Sequence, residues 1–506
     1  MVPAALSGIL YTIAFSVNPL WWISFVALFP LFLSIGRAMN WKAAVIRITL
    51  FSVIFSSGMG YWVVNALTGH YRLPEAKAVL FFCTAVILPA WLIHLTIAVF
   101  YRLLNDRKLF FYSLVVPGLW VMGDYVKSMI PLLIPWGDLG YALVNWPDYF
   151  QMAGLGGVYL VTFSVVMFNA LLVYLIECRS KTDDPYRRWR MGNMPGVTAL
   201  LLLVLIIVAP LCYGSARRHL VPLISSFRDG EHAVIVQGNF SPEDRWGGLG
   251  FYQRLKTYIE LSRRTQASGP GDVIVWPETV LNHPEALTGP FFTDLARMLG
   301  QNNLLITGGL RQDPEQQGVY NSVYLISAGN PPQRYDKHIL LPYSERAPLV
   351  GPFFRFYNAP DRFIPGTTPA CLDSPYGRVG VSVCFEILYS GFIRRSVKQG
   401  AEFLVNVSND SWFGDSVMPR AHLRAARARA VETGRWLLRA SNSGISAVIA
   451  PDGSVTASSD LFRAQRISGS FSRSNETTVY TRWGDWFFIF SLTVLATGLL
   501  RAGFRR

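Results

Sequence analysis

Three side chains of complementary chemistry each stand beside a short apolar run in the second half of the chain. Cys384 ends the run Gly380-Val-Ser-Val383 and is followed by Phe385 and Glu386. A thiol at a strand end, where the chain turns away, can project into a cleft and attack an acyl carbon once a base removes its proton. Glu278 stands in Val273-Ile-Val-Trp-Pro-Glu-Thr279, where partial burial lifts a carboxylate toward the range of a general base. Lys337, in Tyr335-Asp-Lys-His-Ile-Leu-Leu-Pro-Tyr-Ser-Glu345, offers the positive charge that a developing oxyanion needs. Singly, each has a plain reading as a buried cysteine, a capping glutamate or a solvated lysine. Together, base, cation and nucleophile make a complete acyl-transfer set.

The elements that must position them fall within residues 215–482. The runs Ala233–Val236, Val273–Trp276, Leu304–Thr307, Val379–Val383 and Phe403–Val407 are bounded by Gly, Pro, Asn and Asp, which marks them as buried strands. Helical patterns at 250–265, 289–300 and 419–438 lie between some of them. Alternation of this kind predicts a layered α/β domain with catalytic groups at strand ends. His338 and His422 are read as structural, and Arg420, Arg424, Arg427, Arg429, Arg435 and Arg439 as ion-pair partners on several helical faces, with Glu432 one of the acids. The five cysteines, Cys83, Cys178, Cys212, Cys371 and Cys384, lack zinc-site spacing. Cys371 and Cys384 are expected as free thiols, and neither metal nor cofactor is expected.

The remainder of the chain is of another kind. Of 506 residues 51% are hydrophobic and 15% charged, against about 25% charged in ordinary soluble domains, so a soluble single-domain enzyme is excluded. Apolar runs near 3–17, 20–36, 43–66, 78–101, 110–130, 152–177, 195–214 and 485–502 approach the ~20 residues that span a bilayer. The first two are read either as separate spans or as one re-entrant hairpin. The boundaries are therefore a bundle at 1–214, an α/β domain at 215–482 and a last span with a basic tail at 483–506. Basic residues cluster after alternate spans: Arg37 and Lys42; Arg102, Arg107 and Lys108; Arg179, Lys181, Arg187, Arg188 and Arg190; and Arg501, Arg505 and Arg506. The positive-inside rule makes these segments cytoplasmic and puts 215–482 on the opposite side. The net charge of +14 is thus an orientation signal, and a nucleic-acid partner is disfavoured.

Order and context of the motifs resemble a known family. Val-Trp-Pro-Glu278-Thr, Lys337 with Pro342-Tyr-Ser-Glu345, and Cys384-Phe-Glu386 resemble the Glu-Lys-Cys triad of the nitrilase, or carbon-nitrogen hydrolase, superfamily. Val407-Ser-Asn-Asp-Ser-Trp-Phe-Gly-Asp415 and the stretch Ala426–Ile445 are similar to its membrane-embedded branch, the apolipoprotein N-acyltransferases. The resemblance extends over nearly the whole chain, including Ile134-Pro-Trp-Gly-Asp-Leu-Gly-Tyr141. It implies a polytopic α-helical membrane bundle of about eight spans carrying a nitrilase-like αββα sandwich. It also implies a multi-pass protein of the bacterial inner membrane whose catalytic domain faces the periplasm among membrane lipids. By the same resemblance Cys384, with Glu278 as base, takes an acyl chain from a phospholipid donor as a thioester. The α-amine of a diacylated apolipoprotein then collects it, and Lys337 stabilises the oxyanions. Glu345, Glu386 and Phe385 correspond to residues around the triad, and Trp246 and Trp412 to aromatic residues near the substrates. Three positions depart from the family's common residues: Phe385 replaces Tyr, Ile339 replaces His and Ser344 replaces Gly.

Two other functions share parts of this pattern. A membrane-tethered amidase on a small C–N substrate has the same triad and passes its acyl group to water. A non-catalytic scaffold or transporter would not need Cys384, and the few charges within the spans argue against transport.

Overall fold

The computed structural model describes the chain except for residues 131–132, 180–192, 226–229, 242–247, 264–270, 314, 316–317, 347–361, 368–369 and 504–506. Two compact units emerge, one of Met1–Val64, Glu75–His219 and Trp483–Arg506, the other of Asn65–Pro74 and Leu220–Arg482. The short connection Asn65–Pro74 thus packs with the second unit, whereas the sequence boundaries place it in the bundle.

Among the described residues of the first unit, six helices are long and apolar enough to cross a bilayer: Asn18–Gly36, Trp41–Gly60, Glu75–Leu104, Ala153–Cys178, Pro195–His219 and Trp486–Gly503. They coincide with six of the eight expected runs. The other two are helical but fall short. Val2–Ser16 has 15 residues, and the run near 110–130 forms a wide turn, Phe111–Val115, that leads into the helix Val116–Met129. That helix carries Asp124 and Lys127, which form an ion pair of 2.7 Å, and Lys127 also meets Asp138 at 2.6 Å. Within Asn18–Gly36 the helix breaks before Pro30. The freed N–H groups of Leu28 and Phe29 both donate to Asn169 Oδ1 at 2.9 Å, because backbone donors in an apolar bundle need a partner.

The second unit contains thirteen described strands: β1 (Glu231–Gln237), β2 (Val273–Val275), β3 (Leu304–Asp313), β4 (Gly318–Ser327), β5 (Gln333–Asp336), β6 (Arg362–Phe363), β7 (Cys371–Leu372), β8 (Val379–Val383), β9 (Phe403–Ser408), β10 (Leu437–Ser441), β11 (Ala447–Ile449), β12 (Val455–Ser458) and β13 (Gln465–Phe471). One sheet runs β13-β1-β2-β3-β4-β5 with β6 beside β4, and the other β12-β11-β10-β9-β8-β7. β1, β2 and β3 are mutually parallel, as are β8, β9 and β10. The sheets face each other, β1 against β10 and β4 against β8. Helices Gly248–Ser262 and Gly289–Leu299 cover the first sheet, and Ser390–Lys398 and Val417–Thr433 the second. This is the expected αββα sandwich. Alternate residues of β1, β2 and β3, among them Val234, Ile274 and Leu305, turn toward the helices and join Phe251, Tyr258, Trp276 and Phe292 in one core. Because both faces of β2, β8 and β9 are buried, their sequences are nearly unbroken apolar runs.

The helix expected over 419–438 ends earlier. Gly434 takes a left-handed φ of +67° and caps it, and Leu437 already begins β10. Arg439 therefore lies on a strand rather than on a helical face.

Candidate active site

The ends of three strands converge. Glu278 lies in the turn after β2, Lys337 directly follows β5, and Cys384 directly follows β8. Lys337 is only 1% exposed. Its Nζ lies 2.8 Å from Glu345 Oε2 and 3.6 Å from Glu278 Oε1. Asn321, on β4, donates through Nδ2 to Glu278 Oε1 at 2.7 Å and to Glu345 Oε1 at 2.9 Å. Glu345 Oε2 also accepts Leu341 N–H at 2.8 Å, which ties the lysine loop back on itself.

Backbone geometry makes these positions accessible to one another. Among the described residues seven non-glycines have positive φ, and Thr279 (+57°), Tyr343 (+66°) and Cys384 (+53°) are three of them. Such conformations cost on the order of 1–3 kcal/mol each and tend to gather where function demands them. At Cys384 the turn reverses the chain after β8 and leads into the tight helical turn Cys384–Leu388. Gly308 on β3 allows the Glu278 turn to lie close, since a Cβ there would come within 2.5 Å of the Glu278 Cα.

Glu386 anchors the two loops. Its Oε1 accepts the N–H groups of His338 and Ile339 at 2.8 and 2.9 Å, and its Oε2 accepts Val383 N–H at 2.8 Å. The Tyr335 hydroxyl adds a bond of 2.8 Å to Oε2. One carboxyl thereby joins the residues after Lys337 to the residue before Cys384. Phe385 lies under the lysine, with Nζ 5.3 Å from the ring centroid. His338 packs against Tyr335 and Phe392.

The charges follow from this packing. Burial and the neighbouring Glu278 push the Cys384 thiol up, and Lys337 only partly opposes them, so the resting sulfur is protonated. Burial disfavours the Lys337 ammonium, but Glu345, Glu278 and Cys384 outweigh it and hold the group above the usual lysine range. Burial also works against the Glu345 charge, yet Lys337 and the Leu341 N–H keep it below the ordinary glutamate value. The set therefore holds a fixed cation neutralised by one acid, a second acid set back from it, and a neutral thiol. Such a group can transfer an acyl chain through sulfur, provided that the proton leaves at the moment of attack.

Trp412 lies in the short turn Ser411–Phe413 after β9, its Nε1 donating to Asn409 O at 2.8 Å. Trp246 lies outside the described residues. Cys371, on β7, and Cys384 are both free. Of the six arginines named above, Arg420 pairs with Asp415, Arg429 with Glu432 and Arg439 with Asp410. Asn321 and Tyr335 had no part in the reading of the sequence, although an Asn-Ser pair within the apolar Gly318–Ser327 is a legible polar intrusion. Tyr71 was missed as well. Its hydroxyl lies 2.9 Å from Ser344 Oγ, next to Glu345, and its ring meets Trp412 edge-on at 6.2 Å.

Comparison with known proteins covers both units. The carbon-nitrogen hydrolase family profile matches residues 233–476, and the apolipoprotein N-acyltransferase N-terminal domain profile matches residues 7–171. The apolipoprotein N-acyltransferase of Geobacter metallireducens is 30% identical over 96% of this chain and 91% of its own length. That of Haemophilus influenzae is 29% identical over 99% of this chain and 95% of its own. Among solved structures, a carbon-nitrogen hydrolase from Helicobacter pylori aligns with 51% of this chain and 94% of its own, at 16% identity and a TM-score of 0.39.

Proposed function

Since the chain belongs to the apolipoprotein N-acyltransferase family, and so is an acyltransferase of lipoprotein maturation, we propose that Glu278, Lys337 and Cys384 carry its reaction through a thioester. The observation that carries this assignment is the uneven setting of Lys337, 2.8 Å from Glu345 but 3.6 Å from Glu278. Glu345 neutralises the lysine, and Glu278 keeps capacity for a proton.

In the first half-reaction Glu278 takes the thiol proton as Cys384 Sγ attacks the ester carbonyl carbon of a phospholipid. The carbonyl oxygen becomes an oxyanion facing Lys337. Collapse breaks the ester C–O bond, and the leaving lysophospholipid oxygen takes the proton from Glu278. In the second half the α-amine of the diacylglyceryl-cysteine attacks the thioester carbonyl and gives a proton to Glu278. The C–S bond then breaks, the amide forms, and the sulfur recovers its proton. Sulfur serves both halves because a thiolate attacks and leaves well.

Membrane attachment suits these substrates. Drawing the donor from bulk water would forfeit about 0.8 kcal/mol per buried CH₂, whereas a site carried on apolar helices meets its lipids in the bilayer. The basic residues Arg37, Lys42, Arg102, Arg107 and Lys108 support an inner-membrane orientation with the αββα unit on the periplasmic side.

Incubating the purified full-length protein with phospholipid vesicles and measuring its intact mass tests the scheme. The expected result is one acyl adduct on Cys384 that a diacylated lipopeptide amine discharges. An adduct that never forms, or one discharged by water alone, would sink it, the latter in favour of a tethered hydrolase.

A further inference from the structure

A second buried polar cluster plays no part in the scheme above. Asp410 Oδ2 accepts Arg439 Nη2 at 2.8 Å. Its Oδ1 accepts the Ser408 hydroxyl at 2.8 Å and meets His422 Nδ1 at 3.1 Å. Arg439 also donates to Asn406 Oδ1, and Asn406 Nδ2 reaches the Cys384 carbonyl at 3.3 Å. Asn406, Ser408, Asp410, His422 and Arg439 are all 0% exposed. Packing alone does not call for such a group, because apolar residues of similar volume fill a core at least as well as buried ion pairs do.

Its position relates it to the nucleophile. The parallel register pairs Val383 with Val407, so the next residues along the two strands, Cys384 and Ser408, are neighbours. The Ser408 hydroxyl is among the groups that favour the thiolate form of Cys384. Ser408 thus stands beside the nucleophile's position on one side and bonds a carboxylate on the other. Burial works against that carboxylate, but Arg439 and His422 hold Asp410 well below the usual range, so it remains anionic. An anion so close opposes formation of a thiolate, unless the group between them can turn the right end of its dipole to each.

Taking Cys384 as the nucleophile, as proposed above, we propose that Ser408 is a further catalytic residue. Its hydroxyl accepts a hydrogen bond from the Cys384 thiol while donating to Asp410, and it rotates to donate to the sulfur whenever that sulfur is anionic. The sulfur is anionic twice in each cycle, on attacking the donor and on leaving the thioester. No covalent bond to Ser408 forms. Asp410, held by Arg439 and His422, is a positioning residue that gives the hydroxyl its resting direction.

The test uses the full-length protein in mixed phosphatidylethanolamine and phosphatidylglycerol vesicles. Two quantities are measured by mass spectrometry of the Cys384-containing peptide: the pH profile of Cys384 alkylation by iodoacetamide, and the rate of acyl-adduct formation. Ser408→Ala should move alkylation to higher pH and slow acylation about tenfold to a hundredfold, the worth of one hydrogen bond to a charged group. The lipid concentration at half-maximal rate should not change. Ser408→Thr, which keeps a hydroxyl, should stay within a few-fold of wild type. A Ser408→Ala profile and rate equal to wild type would overturn the proposal, as would a folded Ser408→Thr protein as slow as Ser408→Ala. If Ser408→Ala does not fold, Ser408→Cys, similar in size and a weaker donor, takes its place with the same expected direction. Failure of the wild-type protein to form any adduct would instead overturn the role of Cys384 itself.

Discussion

Two lysines, one in each compact unit, stand between pairs of carboxylates, and they differ in how tightly those acids close. Lys127 lies 2.7 Å from Asp124 and 2.6 Å from Asp138, and it also donates to Trp136 O at 3.3 Å. Each of its ammonium hydrogens has a partner, so the group pins the helix Val116–Met129 to the segment around Trp136 and Asp138. Lys337 has one acid at 2.8 Å and the other at 3.6 Å. There Asn321 holds the farther carboxylate at 2.7 Å, and a thiol adjoins. Composition at the two sites is nearly the same. A closed set has no capacity left for a reacting group, whereas an open one can give a hydrogen bond to an oxyanion and accept a proton.

The largest effects should come from the open set. Lys337→Met should lower transfer by about a thousandfold or more, since it removes the oxyanion's cation and leaves Glu345 buried without its partner. Adduct formation on Cys384, followed by mass, checks this, and a loss below tenfold would place the lysine outside the reaction. Glu278→Gln, of nearly equal shape, should cost about a hundredfold to ten-thousandfold, the usual worth of a general base. Its loss should shrink at high pH, where hydroxide can strip the thiol. A loss that is the same at every pH would argue that Glu278 positions rather than accepts.

The closed set should answer differently. Lys127→Met should lower stability by about 3–5 kcal/mol, the cost of leaving buried acids unpaired, and leave the acylation rate of the folded fraction within a few-fold of wild type. Adding Asp124→Asn and Asp138→Asn should restore much of that stability. Detergent-resistance melts and adduct rates on the same preparations separate the two quantities. If folded Lys127→Met protein forms no adduct, the contrast between pin and site fails.

How far such distinctions are legible in the sequence depends on range. Glu278 and Cys384 are legible because each follows a run whose burial on both faces makes it unbroken and apolar. Lys337 instead follows the polar, half-exposed Gln333–Asp336 and is legible from its motif with Pro342-Tyr-Ser-Glu345. The layered α/β class follows from the apolar runs, and the αββα order from the resemblance of the motifs. What decides the roles is not local. Asn321 is 43 residues from Glu278, and Tyr71 is 273 from Ser344; no spacing rule connects them. Arg439 was misplaced because an Ala- and Arg-rich pattern runs on past Gly434, and only the left-handed turn there shows the change to a strand. The run near 110–130 reads as one span by hydropathy, yet Asp124 and Lys127 sit within it, tolerated because each has a partner.

The smallest effect separates the sites by pH. Burial raises the Glu386 carboxyl from 4.5 to about 7, and the N–H donors of Ile339 and Val383 and the Tyr335 hydroxyl only partly offset it. A raised carboxyl binds more protons in the folded state than in the unfolded one. Its contribution is therefore fully present below the ordinary glutamate value and is lost as pH rises through about 7. Glu386→Gln should be less stable than wild type at pH 5, because an amide cannot accept all the bonds that the carboxyl takes. The gap should narrow toward pH 8, by about 3 kcal/mol at most, as wild type alone gives up the proton-linked part. Melting temperatures of the two proteins from pH 5 to pH 8 measure it. A gap that stays level over that interval would mean that the N–H donors hold Glu386 anionic throughout, so that the loops around Lys337 and Cys384 are joined by a charge.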